Sequence, residues 1–154
     1  MRDLIFWKDR QVEYSHRYTL ADNEDGTYTF ISGRSNIDEF IKSGKLRERL
    51  EIVWTFKADE KGLPADDAEA SLMEEVGDKL RAVMEKDKLA IVTGIYTGQG
   101  KREINFICRN INAFGERLNQ TLADYPQLPI VVNAYDDPDN EEYKELLDLK
   151  GEED

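Results

Sequence analysis

Two side chains carry the chemistry of a nucleophile and its base, and each is the single member of its class: Cys108 and His16. A thiol attacks once an imidazole takes its proton, so the pair would have to meet across the fold. Cys108 ends the alternating run Ile104, Phe106, Cys108, which places it on the core side of a strand, where cysteine behaves as a small hydrophobe. A zinc site of the usual Cys/His kind lacks ligands. Gly98-Gln99-Gly100-Lys101 has the glycine and lysine of a phosphate loop. In the pattern Gly-x-x-x-x-Gly-Lys-Ser/Thr, however, Ile95 stands at the first glycine and Arg102 at the last position. Strand-like runs flank the stretch on both sides, so it reads as a hairpin turn. Asp136, Asp137, Asp139, Glu141 and Glu142 offer oxygen ligands but lack the glycine of a calcium loop. Helix capping and a solvated acidic face account for them. The expectation is a chain with no catalytic set, no metal site and no cofactor.

Charge points the same way. The net charge is −12, and residues 136–154 hold ten acids against two lysines, or −8 of it. Phosphate contacts dominate nucleic-acid affinity, so this balance argues against a DNA or RNA partner and favours a basic protein surface. One cysteine excludes an intrachain disulfide and suits a reducing, cytoplasmic setting. No apolar run approaches the ~20 residues of a membrane helix, and Leu4–Trp7 is too short for a signal core.

The elements that must position these residues follow from hydrophobic spacing. The longest strand-forming stretch is a hairpin, Leu89 to Thr97 and Lys101 to Arg109, turning at Gly98–Gly100. Upstream, Leu50, Ile52, Trp54 and Phe56 alternate along a strand over 50–57. Asp66-x-x-Glu69 then caps a long helix whose stripe is Ala68, Leu72, Val76, Leu80, Val83 and Met84. Downstream, Ile111, Phe114, Leu118 and Leu122 mark a second helix over 111–124, and Ile130–Tyr135 a last strand. Strand–helix–strand–strand–helix–strand over 49–135 is the order of a ferredoxin-like α+β core, with a four-stranded antiparallel sheet and both helices on the Ile52, Trp54, Ile104, Phe106 face.

Residues 1–48 add β structure from Val12 to Leu20 and Thr27 to Ile31, joined through Gly26, and a short helix with an Asn36-x-x-Glu39 capping box stopped at Gly44. This hairpin is the expected cover for the second sheet face. In residues 136–154, Asp137-Pro138 reads as an N-cap with proline at the first helical position, opening an acidic helix through Leu149 before Gly151.

That second face carries Glu103, Asn105 and Ile107 and no aromatic platform for bases. Lys57, Arg102 and Arg109 form a basic trio near it, which cross-strand pairing with Glu51 and Glu103 also explains. Trp54 belongs to the core, whereas Trp7 is an anchor for the N-terminal segment or part of a partner surface.

From Leu50 to Tyr143 the chain resembles the family known as domain of unknown function 695. The carrying residues are Glu51-Ile52-Val53-Trp54-Thr55-Phe56, Leu63-Pro64, Thr97-Gly98 with Arg102-Glu103, and Tyr135-Asp136-Asp137-Pro138 followed by Tyr143. Asn140 stands about where the family usually has a tryptophan. More distantly the chain is similar to the B-type regulator of ribonuclease E activity, a resemblance that implies a protein-binding role by analogy of fold.

The reading that results is a non-catalytic interaction or regulatory domain, with Trp7, Lys57, Tyr96, Arg102, Arg109 and Tyr135 as candidate contact residues. The alternative is a small-ligand binder or enzyme using a cleft between the sheet and the N-terminal segment, with Tyr96, Arg102, Arg109 and Tyr135 in it. A third expectation is a homodimer whose subunits cover each other's open sheet faces.

Overall fold

The computed structural model describes residues 18–22, 25–34 and 37–146. Leu4–Trp7, Val12–His16, Asn36, Leu149 and Gly151 lie outside them. The elements run β1 (Tyr18–Asp22), β2 (Tyr28–Gly33), α1 (Asp38–Lys42), β3 (Glu48–Thr55), α2 (Asp67–Glu85), β4 (Ala90–Gly98), β5 (Lys101–Cys108), α3 (Ile111–Leu122) and β6 (Ile130–Asp136). A further helical segment, α4, covers residues 141–146.

This is an α+β protein with one open antiparallel sheet, ordered β1-β2-β4-β5-β3-β6. The predicted four strands are therefore six. The N-terminal hairpin does not lie over the sheet; β2 pairs with β4 from Thr29–Gly98 to Gly33–Gly94 and extends the sheet sideways. The reason is that β4 would otherwise end the sheet with a row of unpaired backbone groups, and β2 satisfies them.

The central hairpin turns through Gln99 and Gly100 alone, with φ of 52° and 81°, the mirror-image geometry that matches strand twist. Between Val92 and Gly94 the β4–β5 register slips by one residue, leaving Thr93 as a bulge. Asp66 caps α2 by accepting from the Ala68 N–H (2.9 Å). The predicted capping-box partner Glu69 instead accepts from the Trp54 indole N–H at 3.2 Å, tying helix to strand. Asn110 caps α3 through the Ala113 N–H. Asp137 does cap a helix, accepting from the Glu141 N–H, but Pro138 is not its first residue: Asn140 takes φ 52° and the helix begins after it.

As predicted, α2 and α3 cover the face bearing Leu50, Ile52, Trp54, Ile104 and Phe106, which join Met73, Val76, Leu80, Met84, Phe114 and Leu118 in the main core. Cys108 is fully buried here, and burial pushes its thiol up to about 11, far from a reactive thiolate. The second face has its own smaller core, where Ile37 and Phe40 of α1 and Tyr143 and Leu146 of α4 pack on Ile31, Ile91 and Ile107. Asn105 and Ile107, expected on an open face, are buried beneath them.

Where β2 leaves the sheet, Arg34 is fully buried and holds Glu85 at the end of α2 through two bonds of 2.8 and 3.0 Å. The same arginine donates to the Val92 carbonyl, and Glu85 accepts from the Val92 N–H, so the pair locks helix, hairpin and β4 together. No helix of the described residues is long and apolar enough to cross a membrane.

Candidate functional site

The second face is covered near β2, β4 and β5. Toward β6 it opens, and pairing of β3 with β6 sets Arg49 beside Tyr135, Glu51 beside Asn133 and Val53 beside Val131. Strand alternation puts these six on the uncovered side. Arg49 is the fixed centre. Its guanidinium donates to the Asn105 side-chain carbonyl (2.8 Å), lies 3.9 Å from the Glu51 carboxylate and stacks 4.1 Å from the Tyr135 ring centroid. The Asn133 amide donates to the other Glu51 oxygen at 3.1 Å. At the covered margin the Tyr96 hydroxyl donates to Glu142 (3.0 Å), whose second oxygen is buried without a partner among the described residues. Burial is the main reason the Glu142 carboxyl titrates above its ordinary value; the Tyr96 bond and the Arg49 charge oppose it in part.

β6 itself is the outer edge of the sheet. Val131 is 61 % exposed, Val132 40 % and Tyr135 41 %. Natural edge strands are usually blunted by lysine, proline or a bulge. From Ile130 to Asp136 this one has none of these, and it pairs with β3 without a slip.

The predicted contact residues are dispersed. Tyr96 and Tyr135 share the second face, three strands apart in the sheet: Tyr96 bonds Glu142, Tyr135 stacks on Arg49, and the Arg49 charge acts on Glu142. Arg102 is on the opposite, helix-covered face, where it faces Glu74 of α2 at 3.4 Å rather than Glu103. Glu103 is taken by Lys101 (3.2 Å) and Glu51 by Arg49, so the basic trio does not form. Arg109 sits past the end of β5, donating to the Asp87 carbonyl beside a shallow hollow lined by Lys45, Arg47 and Asp136. Lys57 is exposed just beyond β3, and Trp7 lies outside the described residues. The proposed cleft of Tyr96, Arg102, Arg109 and Tyr135 is thus not one site. Arg49 was missed because the predicted strand began at Leu50; extending the alternation one residue finds it. Among the described residues no three His, Cys, Asp or Glu side chains cluster as metal ligands.

Fold and site together define a small α+β domain that offers a bare sheet edge beside a polar, aromatic strip. Within that class, the chain belongs to a family of unknown function (DUF695), whose model matches residues 18–147. Comparison with curated proteins finds no match.

Proposed function

We propose that this is a non-catalytic interaction or regulatory domain that takes an extended, basic segment of a partner protein along β6. The observation that carries this reading is the long, unblunted β6 edge with Val131, Val132 and Tyr135 in water. Strand addition draws affinity from main-chain bonds and specificity from alternate side chains. Here the alternate positions present Val131, Asn133 and the Arg49-stacked Tyr135. Asp136, Asp137 and Glu51 around them, in a chain of net charge −12, select a partner rich in lysine and arginine. The likeness to a ribonuclease regulator makes a basic ribonuclease surface the first partner to try. We also read residues 49–135 as ferredoxin-like: the core order β4-β5-β3-β6 and the two helices on one face support it. A homodimer through open sheet faces is disfavoured, because α1 and α4 already pack on part of that face. A cytoplasmic setting fits the lone buried thiol.

Affinity capture from native lysate with the full chain and with Val131→Lys tests the proposal. Basic proteins are expected on the unaltered chain, released by salt and absent from the variant, which places a charge on the edge. Equal capture by both would remove β6 as the docking strand.

A further inference from the structure

The sheet face that α2 and α3 cover is wider than the helices. Because β2 extends the sheet beyond β4, a groove of about 480 Å³ runs between α2 and the β2–β4–β5 surface, at the far end of the sheet from β6. That volume falls in the range of small-molecule sites. Its walls hold two arginines whose stems are well anchored, Arg102 at 11 % side-chain exposure and Arg81 at 14 %. The carboxylates that face them are on the rim and mostly in water: Glu74 is 64 % and Asp78 65 % exposed.

Geometry separates the anchored from the loose groups. Charge-assisted hydrogen bonds are ordinarily about 2.7–2.9 Å long. Both terminal nitrogens of Arg102 share one Glu74 oxygen at 3.4 Å, and its Nε–H is buried without a partner among the described residues. A planar fork with five donors is therefore served by a single distant oxygen. An exposed pair of this kind contributes little and yields readily to a better acceptor. Phe30 stands on the same wall with 41 % of its surface in water, so the groove also offers an apolar ring face.

We propose that this groove binds a small organic anion, with a carboxylate or phosphoryl group on the Arg102 fork and a flat apolar body against Phe30. The oxyanion supplies acceptors that Glu74 meets only at long range, and Glu74 swings outward into solvent. The acidic remainder of the chain does not prevent this, because charges beyond a Debye length of about 8 Å are largely screened at physiological salt. The site is independent of the β6 docking strand and survives its failure.

The test uses the full chain, isotope-labelled, titrated with phenyl phosphate, benzoate and inorganic phosphate while the Arg102 Nε–H resonance is followed. A saturable shift with phenyl phosphate or benzoate is expected, and whichever of the two binds more tightly identifies the anionic group. Inorganic phosphate is expected to bind at least about tenfold more weakly than phenyl phosphate, since it has nothing to lay on the ring. Arg102→Gln should weaken phenyl phosphate at least about tenfold, and Arg102→Lys nearly as much, because an ammonium lacks the fork. Phe30→Ala, with an unfolding curve to confirm the fold, should weaken it about threefold or more while leaving inorganic phosphate unchanged. No saturable shift at Arg102 with either aromatic anion, or unaltered affinity in Phe30→Ala and the Arg102 variants, would overturn the assignment.

Discussion

Phe106 and Ile107 are neighbours in β5, both buried, and held by different means. Phe106 points into the α2–α3 layer and meets the Phe114 ring edge-on, centroids 5.0 Å apart. Helices of nineteen and twelve residues roof that side and pack on a large apolar core. Ile107 points the other way, under the five-residue α1 and under α4. Helices this short have no stability of their own and persist only through the surface they bury. What separates the two faces is thus the length of roof available. The first is roofed across its centre and open only at the groove beside β2; the second is closed only as far as α1 and α4 reach, and the remainder, from Arg49 to Tyr135, is what a partner protein can meet.

If that contrast is right, the deepest damage comes where the two layers are fastened together. Glu85→Ala takes from the buried Arg34 guanidinium the carboxylate it bonds twice, leaving the charge to its other partners such as the Val92 carbonyl, and should cost about 3–5 kcal/mol in urea unfolding. Adding Arg34→Met should return much of it, since removing both charges avoids the stranded one. Failure of the double variant to recover would mean that the Val92 contacts, not the charges, fasten the layers.

The second face can be probed alone. A methyl at Gly94 would come within 2.6 Å of Leu146 Cδ2, so Gly94→Ala should push α4 off the sheet at about 1–3 kcal/mol. Hydrogen exchange should quicken around Tyr143 and Leu146 and stay unchanged around Phe114; equal loosening on both sides would break the comparison.

Acid titration separates the faces by sign. Glu142 on the second face binds its proton more tightly folded than unfolded. The folded state therefore holds more protons once pH passes ~4.3, and stability falls as pH rises from there through the raised folded value. On the first face, Asp87 is bonded twice by Arg117 and its carboxyl is held below the ordinary value. Its contribution is present above ~3.9 and is lost as pH falls through the lowered folded value. Glu142→Gln should remove the decline above pH ~4.3 and leave the acid limb, which Asp87→Asn should remove instead. The smallest effect is at the edge itself: Val131→Lys should change stability by no more than about 0.5 kcal/mol, because the side chain is already in water. A larger loss would mean that β6 is structural rather than presented.

These contrasts also show what could be read in advance. The main core was legible because Leu50, Ile52, Trp54, Ile104 and Phe106 alternate cleanly and the α2 and α3 stripes match them. The destination of the N-terminal hairpin was not, because alternation states which side a residue faces but not which neighbour its backbone bonds. The Arg34–Glu85 pair joins residues fifty-one apart in sequence, and no local pattern signals it. Tyr96 and Tyr135 were picked for chemistry and do share a face. Arg102 and Arg109 stand out by charge, which carries no information about orientation; the alternation that turns Ile104 and Phe106 inward is what puts Arg102 on the helix side.

The extra residue at Thr93 governs more than its own bond to the Asn105 carbonyl. Ahead of it, odd-numbered β4 positions look toward α1 and α4; after it, even-numbered ones do, which is how Tyr96 comes to stand over Glu142 while Ile95 stays inside. Excising that one residue would leave a regular strand in which Ile95 still faces inward and Tyr96 still stands over Glu142. Ironing the bulge flat while keeping Thr93 would instead invert the parity of the strand's second half, sending Tyr96 into the greasy interior and Ile95 toward Glu142. A frame slip of a single amino acid would thereby erase the polar margin of the second face without touching any residue that forms it.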